Sequence, residues 1–220
     1  MYFIMEAILF DMDGLMIDTE RLYFEAEREL ADRFQRELQE KTLWKMMGRN
    51  PLTAMQIFID DLELSISAKD LLGIRDEIME RKLRTDMVTM PGLFEIINEF
   101  HSKLKLAIVT GAPQKFLDIT LENLKIETYF DAFQTSDEIQ NGKPNPEIYL
   151  KAIRKLKTLP QNCVVLEDSS NGARAGKNAG CYTIAIPSEY TQNQDFSFVD
   201  YIAKDLSEAK EHIQNLIISQ

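Results

Sequence analysis

Four polar segments of this 220-residue chain carry side chains that could act together in catalysis. In chain order they supply a carboxylate pair, a hydroxyl beside a glycine, a lysine and a second carboxylate pair: Asp11 and Asp13, Thr110 and Gly111, Lys143, and Glu167 and Asp168. Carboxylates are the hard oxygen ligands that Mg²⁺ prefers, whereas a lysine, a hydroxyl and exposed backbone amides can donate to phosphate oxygens. The set therefore predicts phosphoryl-transfer chemistry.

Three of these segments follow short apolar runs that read as buried strands. The run Ala7 to Phe10, for example, is typical of a strand covered on both faces of a parallel sheet. Open α/β sheets bind ligands beyond the carboxyl ends of their strands, so the four segments should converge if the strands are neighbours. Two acids at one strand end would be costly to bury unless a cation or a reaction used them.

Strands and helices alternate from about residue 90 to the C-terminus. Helical patterns at 93–101, 114–125, 146–157 and 171–179 are separated by strand-like runs at 104–110, 131–135, 163–167 and 181–186, and a weak strand at 200–203 precedes a final helix. This alternation predicts an α/β fold, a Rossmann-like three-layer core whose parallel sheet is covered on both faces. Residues 1–17 and 88–220 would form this core domain.

Residues 18–87 have a different texture and are predicted to be an inserted α-helical cap domain. Apolar side chains recur there at helical spacing, as from Leu22 to Phe34, with breaks expected only at residues 47–51 and near 64–65. A small helical bundle would therefore follow the first strand of the core.

Composition excludes several classes of partner. The formal net charge of −11 would repel nucleic acid and anionic membranes, so we expect neither as a partner. The apolar start lacks a basic lead and no apolar run reaches about 18 residues, so we expect neither a signal peptide nor a membrane span, and a cytoplasmic protein. An even spread of charge and no obvious exposed apolar stripe favour a monomer.

Cysteine and histidine are too few for several kinds of active site. Cys163 and Cys181 each begin an apolar strand-like run, which favours buried free thiols over a disulfide. His101 and His212 lie in helical patterns far apart in the chain, which argues against a histidine-dependent triad or a histidine-rich zinc site. Catalysis must then depend on carboxylates, lysine, hydroxyls and a metal.

The order Asp-Met-Asp-Gly, Thr-Gly, Gly-Lys-Pro-Asn-Pro and Glu-Asp resembles that of the haloacid dehalogenase superfamily of phosphohydrolases. The resemblance spans the whole chain and is to the β-phosphoglucomutase-like branch, whose members carry a helical cap. Within that branch the segment Met47 to Pro51 most resembles the pseudouridine-5'-phosphatase type. The implied activity is a Mg²⁺-dependent phosphatase acting on a small phosphorylated metabolite, a sugar phosphate or a nucleoside monophosphate.

The resemblance implies a role for each motif residue. Asp11 matches the nucleophile that forms an aspartyl-phosphate, and Asp13 matches the general acid/base whose backbone carbonyl also binds the metal. Thr110 and the Gly111 amide match the phosphate-binding pair, and Lys143 matches the lysine that holds the phosphate against the nucleophile. Relatives often have a polar residue where this chain has Ala112, so one phosphate donor would be missing.

The implied magnesium ligands are Asp11, Asp13, Glu167 and Asp168. Asp168 matches a direct ligand, whereas Glu167 is either a second ligand or a residue behind the ligands. In the cap, Gly48 and Arg49 would reach over the pocket, where the arginine would read a second anionic or polar part of the substrate.

Other functions remain open on the sequence. A sugar-phosphate mutase shares every core motif, but mutases of this kind usually have a histidine where this chain has Tyr23. A dehalogenase would lack the second aspartate, and a phosphonatase would need a cap lysine such as Lys41 or Lys45. A phospho-switch of the receiver type also gathers acids, a threonine and a lysine around Mg²⁺, but it is shorter and has no helical insertion. An inactive binding protein on the same fold is a further alternative.

Overall fold

The computed structural model describes residues 4–218, which belong to two compact units. One unit contains the chain up to Asp18 and from Val88 onward, and the other is Thr19–Met87. The described range contains these strands and α-helices in chain order: β1 Ala7–Phe10, α1 Thr19–Arg33, α2 Glu40–Met46, α3 Pro51–Leu62, α4 Ala68–Thr85, α5 Leu93–Phe100, β2 Lys105–Val109, α6 Gln114–Leu124, β3 Ala132–Gln134, α7 Glu147–Leu156, β4 Cys163–Glu167, α8 Ser170–Ala179, β5 Tyr182–Ala185, β6 Tyr201–Ile202 and α9 Leu206–Ile218.

The first unit is built around a parallel sheet with the strand order β3-β2-β1-β4-β5-β6. β1 lies between β2 and β4, and Phe10 is opposite both Ile108 and Leu166. Ala7 and Leu9 pack with side chains of α7 and α8 in one apolar cluster, whereas Ile8 and Phe10, equally buried, point to the opposite face. The predicted α/β class with a parallel sheet is confirmed.

The second unit, which we call the cap, consists of α1 to α4. Helix α1 packs along α4, with Leu22, Ala26 and Leu30 among its buried residues. Two of the helices begin with side-chain caps, because Asn50 accepts from the Thr53 amide at 2.9 Å and Ser67 accepts from the Asp70 amide at 3.1 Å. The cap therefore forms from local helix signals and its own apolar contacts.

The sequence prediction missed one helix break in the cap. Helix α1 ends at Arg33 rather than continuing through Phe34, and α2 begins only at Glu40. Gln35 adopts a left-handed conformation with φ 53°, and the Arg36 amide donates back to the Ala31 carbonyl at 3.0 Å. Such a reversal usually uses glycine or asparagine, and the lack of either left no signal for it.

The chain leaves and re-enters the core at one place. The Asp18 amide donates to the Val88 carbonyl at 2.9 Å, and the Met90 amide donates to the Met16 carbonyl at 2.9 Å. Ile17 and Thr89 form an antiparallel bridge between these hydrogen bonds. The two connecting segments are thus paired with each other before the insert begins, on the core side of the boundary.

Two further expectations concern the core and membranes. Cys163 and Cys181 are buried free thiols, as expected. Within residues 4–218 no helix combines the length and the hydropathy needed to cross a bilayer.

Candidate active site

Three acidic side chains meet at the carboxyl edge of the sheet. The Asp11 amide donates to the Leu166 carbonyl at 3.0 Å, which extends the pairing of β1 with β4 by one residue. This brings Asp11 beside Glu167 and Asp168, and all three side chains are buried. One carboxylate oxygen from each residue lies within 4.8 Å of those from the other two.

Lys143 joins two of these acids. Its Nζ lies 2.5 Å from Asp11 Oδ1 and 2.6 Å from Glu167 Oε1, so one ammonium donates to both carboxylates. Burial lowers the pKa of Lys143, but the negative charges of Asp11 and Glu167 outweigh it and raise that pKa above its usual value. Lys143 is therefore a fixed positive charge at neutral pH.

The cluster holds three carboxyl groups beside the Lys143 ammonium. Burial raises the pKa of Asp11, Lys143 opposes this, and the charges of Glu167 and Asp13 add to it, so that the pKa of Asp11 lies well above its ordinary value. A divalent cation would relieve the repulsion among these carboxylates. Carboxylate oxygens are the ligands that magnesium prefers, so the residues fit that ion.

The loop that presents Lys143 is organised by Glu147, the first residue of α7. The Glu147 carboxylate accepts from the Gln140 amide at 3.1 Å and the Asn141 amide at 3.0 Å. The first of these bonds is the largest cause that lowers the pKa of Glu147 to about 2. The Lys143–Pro144 peptide bond within the loop is cis. The loop is thus held to the start of α7 by hydrogen bonds that are strongest when Glu147 is ionised.

Asp13 has a different environment from the three clustered acids. Its Oδ2 accepts from Thr110 Oγ1 at 2.7 Å, and Thr110 Oγ1 in turn accepts from the Ala112 amide at 2.9 Å. Among the described residues the metal-type group contains Asp11, Glu167 and Asp168 but not the Asp13 carboxylate. The Thr110 hydroxyl is therefore hydrogen-bonded to Asp13 in the substrate-free protein. The Ala112 amide, for its part, donates to Thr110.

Glu167 accepts hydrogen bonds at both of its carboxylate oxygens. Its Oε1 accepts from Lys143 Nζ and from Tyr149 Oη, the latter at 2.7 Å, and its Oε2 accepts from the Ser169 hydroxyl at 3.1 Å and the Ser169 amide at 3.3 Å. Ser169 also caps α8 through the Gly172 amide. A side chain on Gly172 would overlap the Glu167 carboxylate, so glycine lets α8 approach it.

Sequence reasoning did not find Tyr149. Tyr149 lies two positions after Glu147 and has the sequence pattern of an ordinary aromatic residue on the buried face of α7. The one sequence signal for a role in the site was its closeness to Lys143, six residues earlier in the chain.

Gly14 is required by the turn after the first acid pair. Its φ is +75°, its amide donates to the Ile17 carbonyl at 2.9 Å, and an added Cβ would collide with the Asp168 carboxylate. By contrast, a Cβ on Gly111 would meet nothing within 4 Å. That Gly111 lets a phosphate approach the backbone closely thus stays a prediction.

Gly48 and Arg49 belong to the cap and lie in the turn between α2 and α3. Gly48 has φ +70°, which favours glycine, and the Arg49 amide donates to the Met46 carbonyl at 3.1 Å. Both residues are exposed. Their contact with a substrate stays a prediction.

Comparison with known proteins gives a consistent assignment. The family model described as haloacid dehalogenase-like hydrolase matches residues 8–186. A phosphorylated carbohydrates phosphatase of Thermotoga maritima is 37% identical over 177 residues, which cover 80% of this chain and 82% of that protein. The (DL)-glycerol-3-phosphatase 2 of Arabidopsis thaliana is 32% identical over 189 residues, which cover 82% of this chain and 78% of that protein.

A solved structure is similar over nearly the whole chain. The crystal structure of a putative β-phosphoglucomutase from Thermotoga maritima aligns with a TM-score of 0.81 and 31% identity, covering 96% of this chain and 99% of that one. The matched family region runs from β1 to the end of β5 and so includes every acid and the lysine of the site. The protein described here is therefore a member of the haloacid dehalogenase-like hydrolase family.

Proposed function

We propose that this protein is a Mg²⁺-dependent phosphatase that hydrolyses a small phosphorylated metabolite, a sugar phosphate or a nucleoside monophosphate, through an aspartyl-phosphate on Asp11. The observation that carries the proposal is the Lys143 ammonium bound between Asp11 and Glu167, beside Asp168. The names of the two relatives above, a phosphorylated carbohydrates phosphatase and a glycerol-3-phosphatase, support a small polyol or sugar phosphate as the substrate class.

Asp11 would act as the nucleophile toward phosphorus. Its Oδ1 is bound to Lys143, so the carboxylate is oriented and the other oxygen, Oδ2, is the one that remains to attack. The Lys143 charge would offset the repulsion between a carboxylate nucleophile and the phosphate oxygens. Magnesium, when bound by Asp11, Glu167, Asp168 and the backbone carbonyl of Asp13, would supply further positive charge to those oxygens.

Asp13 would be the general acid and base. Thr110 donates to one oxygen of its carboxylate at 2.7 Å, which orients the side chain in the substrate-free protein. Because its carboxylate is not one of the three clustered acids, Asp13 would be available to give a proton to the leaving oxygen and then to take one from water. When substrate is bound, the Thr110 hydroxyl would donate to the phosphate instead, beside the Gly111 amide.

A β-phosphoglucomutase-like mutase is the second candidate, favoured by the name of the similar solved structure. The core machinery would be the same, and the cap would decide whether the phosphoryl group passes to water or to a sugar. Tyr23 stands where such mutases usually have a histidine, and its ring contacts Arg75 with 5.2 Å between the guanidinium carbon and the ring centre. A tyrosine is a poor proton shuttle at neutral pH, which favours the phosphatase. Gly48 and Arg49 would then set which substrates are accepted.

The test is phosphate release from p-nitrophenyl phosphate and from a panel that includes glycerol 3-phosphate, hexose phosphates, nucleoside monophosphates and pseudouridine 5'-phosphate. Each is assayed with Mg²⁺ and with EDTA, for wild type, Asp11→Asn and a control, Asp118→Asn, which removes an exposed carboxylate from α6. We expect release that requires both Mg²⁺ and Asp11 and is unchanged in the control. Appreciable turnover by Asp11→Asn would refute the covalent mechanism, and isomerisation of a hexose phosphate without net hydrolysis would identify a mutase.

A further inference from the structure

Tyr149 is a fully buried tyrosine whose hydroxyl points at the active site. Its ring lies in the apolar cluster between α7, α8 and the sheet, with neighbours such as Leu9 and Val165. A phenylalanine would provide the same apolar surface there, whereas a buried hydroxyl is costly unless it is hydrogen-bonded. The hydroxyl donates to Glu167 Oε1 at 2.7 Å. That hydrogen bond is therefore the physical reason for a tyrosine at this position.

The proton of this hydrogen bond is firmly held by tyrosine. Burial raises the pKa of Tyr149, and the charges of Glu167 and Asp11 raise it further. Tyr149 is thus a donor throughout the neutral range. Lys143 Nζ lies 5.2 Å from the centre of the tyrosine ring, so the ring face and the hydroxyl both belong to the lysine and carboxylate network.

The hydrogen bonds of Glu167 divide unequally between its two oxygens. Oε1 receives two short bonds, 2.6 Å from Lys143 and 2.7 Å from Tyr149, whereas the two bonds to Oε2 from Ser169 are 3.1 and 3.3 Å long. An ionised carboxylate has about four acceptor sites, so these four donors fill them. Oε2 has the longer and weaker hydrogen bonds, so it is the oxygen that can more readily exchange a hydrogen bond for a cation.

Lys143 alone does not fix Oε1, because the same ammonium also binds Asp11. When Asp11 and Lys143 engage a phosphoryl group, the tyrosine is the donor to Oε1 that is not shared with a reacting residue. Tyr149 and Lys143 come from one segment, the loop and first turn of α7, so a single local structure delivers both donors to one oxygen.

We propose that Tyr149 is a positioning residue of the metal site, whose hydroxyl anchors Glu167 Oε1 and so orients the carboxylate for a divalent cation. The inference rests on the proposed Mg²⁺-dependent function and assigns a role to a side chain behind the metal ligands. Partners of this kind typically change metal affinity 10- to 100-fold when removed.

The experiment measures Mg²⁺ binding to the substrate-free full-length protein by isothermal titration calorimetry. Tyr149→Phe keeps the ring and deletes the hydroxyl, and circular dichroism checks its fold. The matched control is Tyr201→Phe, which deletes a hydroxyl that donates to the Glu208 carboxylate at 2.9 Å, on β6 at the edge of the sheet. We expect the Kd for Mg²⁺ to rise by about 10-fold in Tyr149→Phe and to stay unchanged in the control.

A double-mutant cycle with Glu167→Ala, which removes both acceptor oxygens, separates positioning from general loss of packing. If Tyr149 acts through Glu167, the Tyr149→Phe substitution should change the Mg²⁺ affinity by less than twofold once residue 167 is alanine. An effect of equal size in both backgrounds, or a Kd for Tyr149→Phe within twofold of wild type, would overturn the inference. A wild-type protein that binds no Mg²⁺ would instead remove the proposed metal dependence, and the inference with it.

Discussion

Replacing Glu27 with glutamine should stabilise the cap, and the stabilisation should grow as the pH rises. Glu27 lies in the middle of α1 with a side chain that is only 5% exposed. Burial raises its pKa to about 8, the Arg75 guanidinium opposes the rise, and the nearby charges of Glu20 and Arg28 act in opposite directions. Arg75 also forms an ion pair with Asp76 at 2.8 Å, so glutamine at position 27 should leave the guanidinium partnered.

The sign and size follow from proton linkage. The folded chain binds the Glu27 proton more tightly than the unfolded chain, so the contribution of that proton to the free energy of unfolding is fully present below an ordinary pKa of 4.5 and is lost as the pH rises to about 8. At about 1.4 kcal/mol per pH unit, the whole shift corresponds to about 5 kcal/mol, an upper figure because relaxation around a buried charge reduces it. We expect Glu27→Gln to gain at least about 2 kcal/mol between pH 5 and pH 8.5 relative to wild type.

The assay is urea unfolding followed by tryptophan fluorescence at several pH values. Trp44 is the only tryptophan of the chain and lies in α2, so its emission reports on the unit that contains Glu27. The difference between wild type and variant isolates Glu27, because every other titrating group is common to both. The control is Glu77→Gln, which removes an exposed carboxylate from α4 of the same unit.

The reasoning is refuted if the stability gained by Glu27→Gln is the same at pH 5 and pH 8.5 to within about 0.5 kcal/mol, a typical uncertainty of additive comparisons. A pH-dependent gain of the same size in Glu77→Gln would contradict it as well, because the effect would then reflect the net charge of the cap rather than burial of one carboxyl group.

Three further predictions concern the core site. Lys143→Met should leave buried carboxylates without their counter-ion and lower the free energy of unfolding by about 3 kcal/mol in urea titrations with EDTA; an unchanged midpoint would contradict the bridging role. Asp13→Asn should slow both formation and breakdown of the aspartyl-phosphate by ~10²- to 10⁴-fold in rapid-quench measurements, and a wild-type rate for either step would remove Asp13 from that step. Gly172→Ala should push the Glu167 carboxylate aside and raise the Mg²⁺ concentration for half-maximal activity about 10-fold, whereas Gly73→Ala, where a Cβ meets nothing within 4 Å, should not.

The convergence of acidic side chains at one edge of the sheet could be predicted from the sequence because chemistry restricts the residue types found there. Acids at the carboxyl end of a buried strand, as at Asp11 and Glu167, are costly to bury without a cation or a reaction, and parallel strands bring their carboxyl ends together whatever the exact register. The fold class followed from the same alternation of strands and helices. These features depend on local pattern, which a single sequence displays.

Other features could not be predicted from the sequence, either because they depend on contacts between distant segments or because no residue type marks them. Tyr149 has the sequence pattern of any buried helix residue, and only the approach of α7 to the end of β4 gives its hydroxyl a partner. The reversal at Gln35 uses a residue type that rarely adopts positive φ, so no composition rule marks it. The Thr110 hydroxyl was expected at a phosphate, and its bond to Asp13 joins two residues that lie far apart in the sequence.

The paired connecting segments have a consequence for how this architecture can change. Asp18 and Val88 are hydrogen-bonded to each other within the core unit. The segment Thr19–Met87 is therefore equivalent, for the core, to a loop whose two ends are held together. The entropy of closing a loop rises slowly, by about 0.6 kcal/mol for each doubling of its length. Inserts of very different size can therefore be exchanged at this junction at little cost to the stability of the sheet.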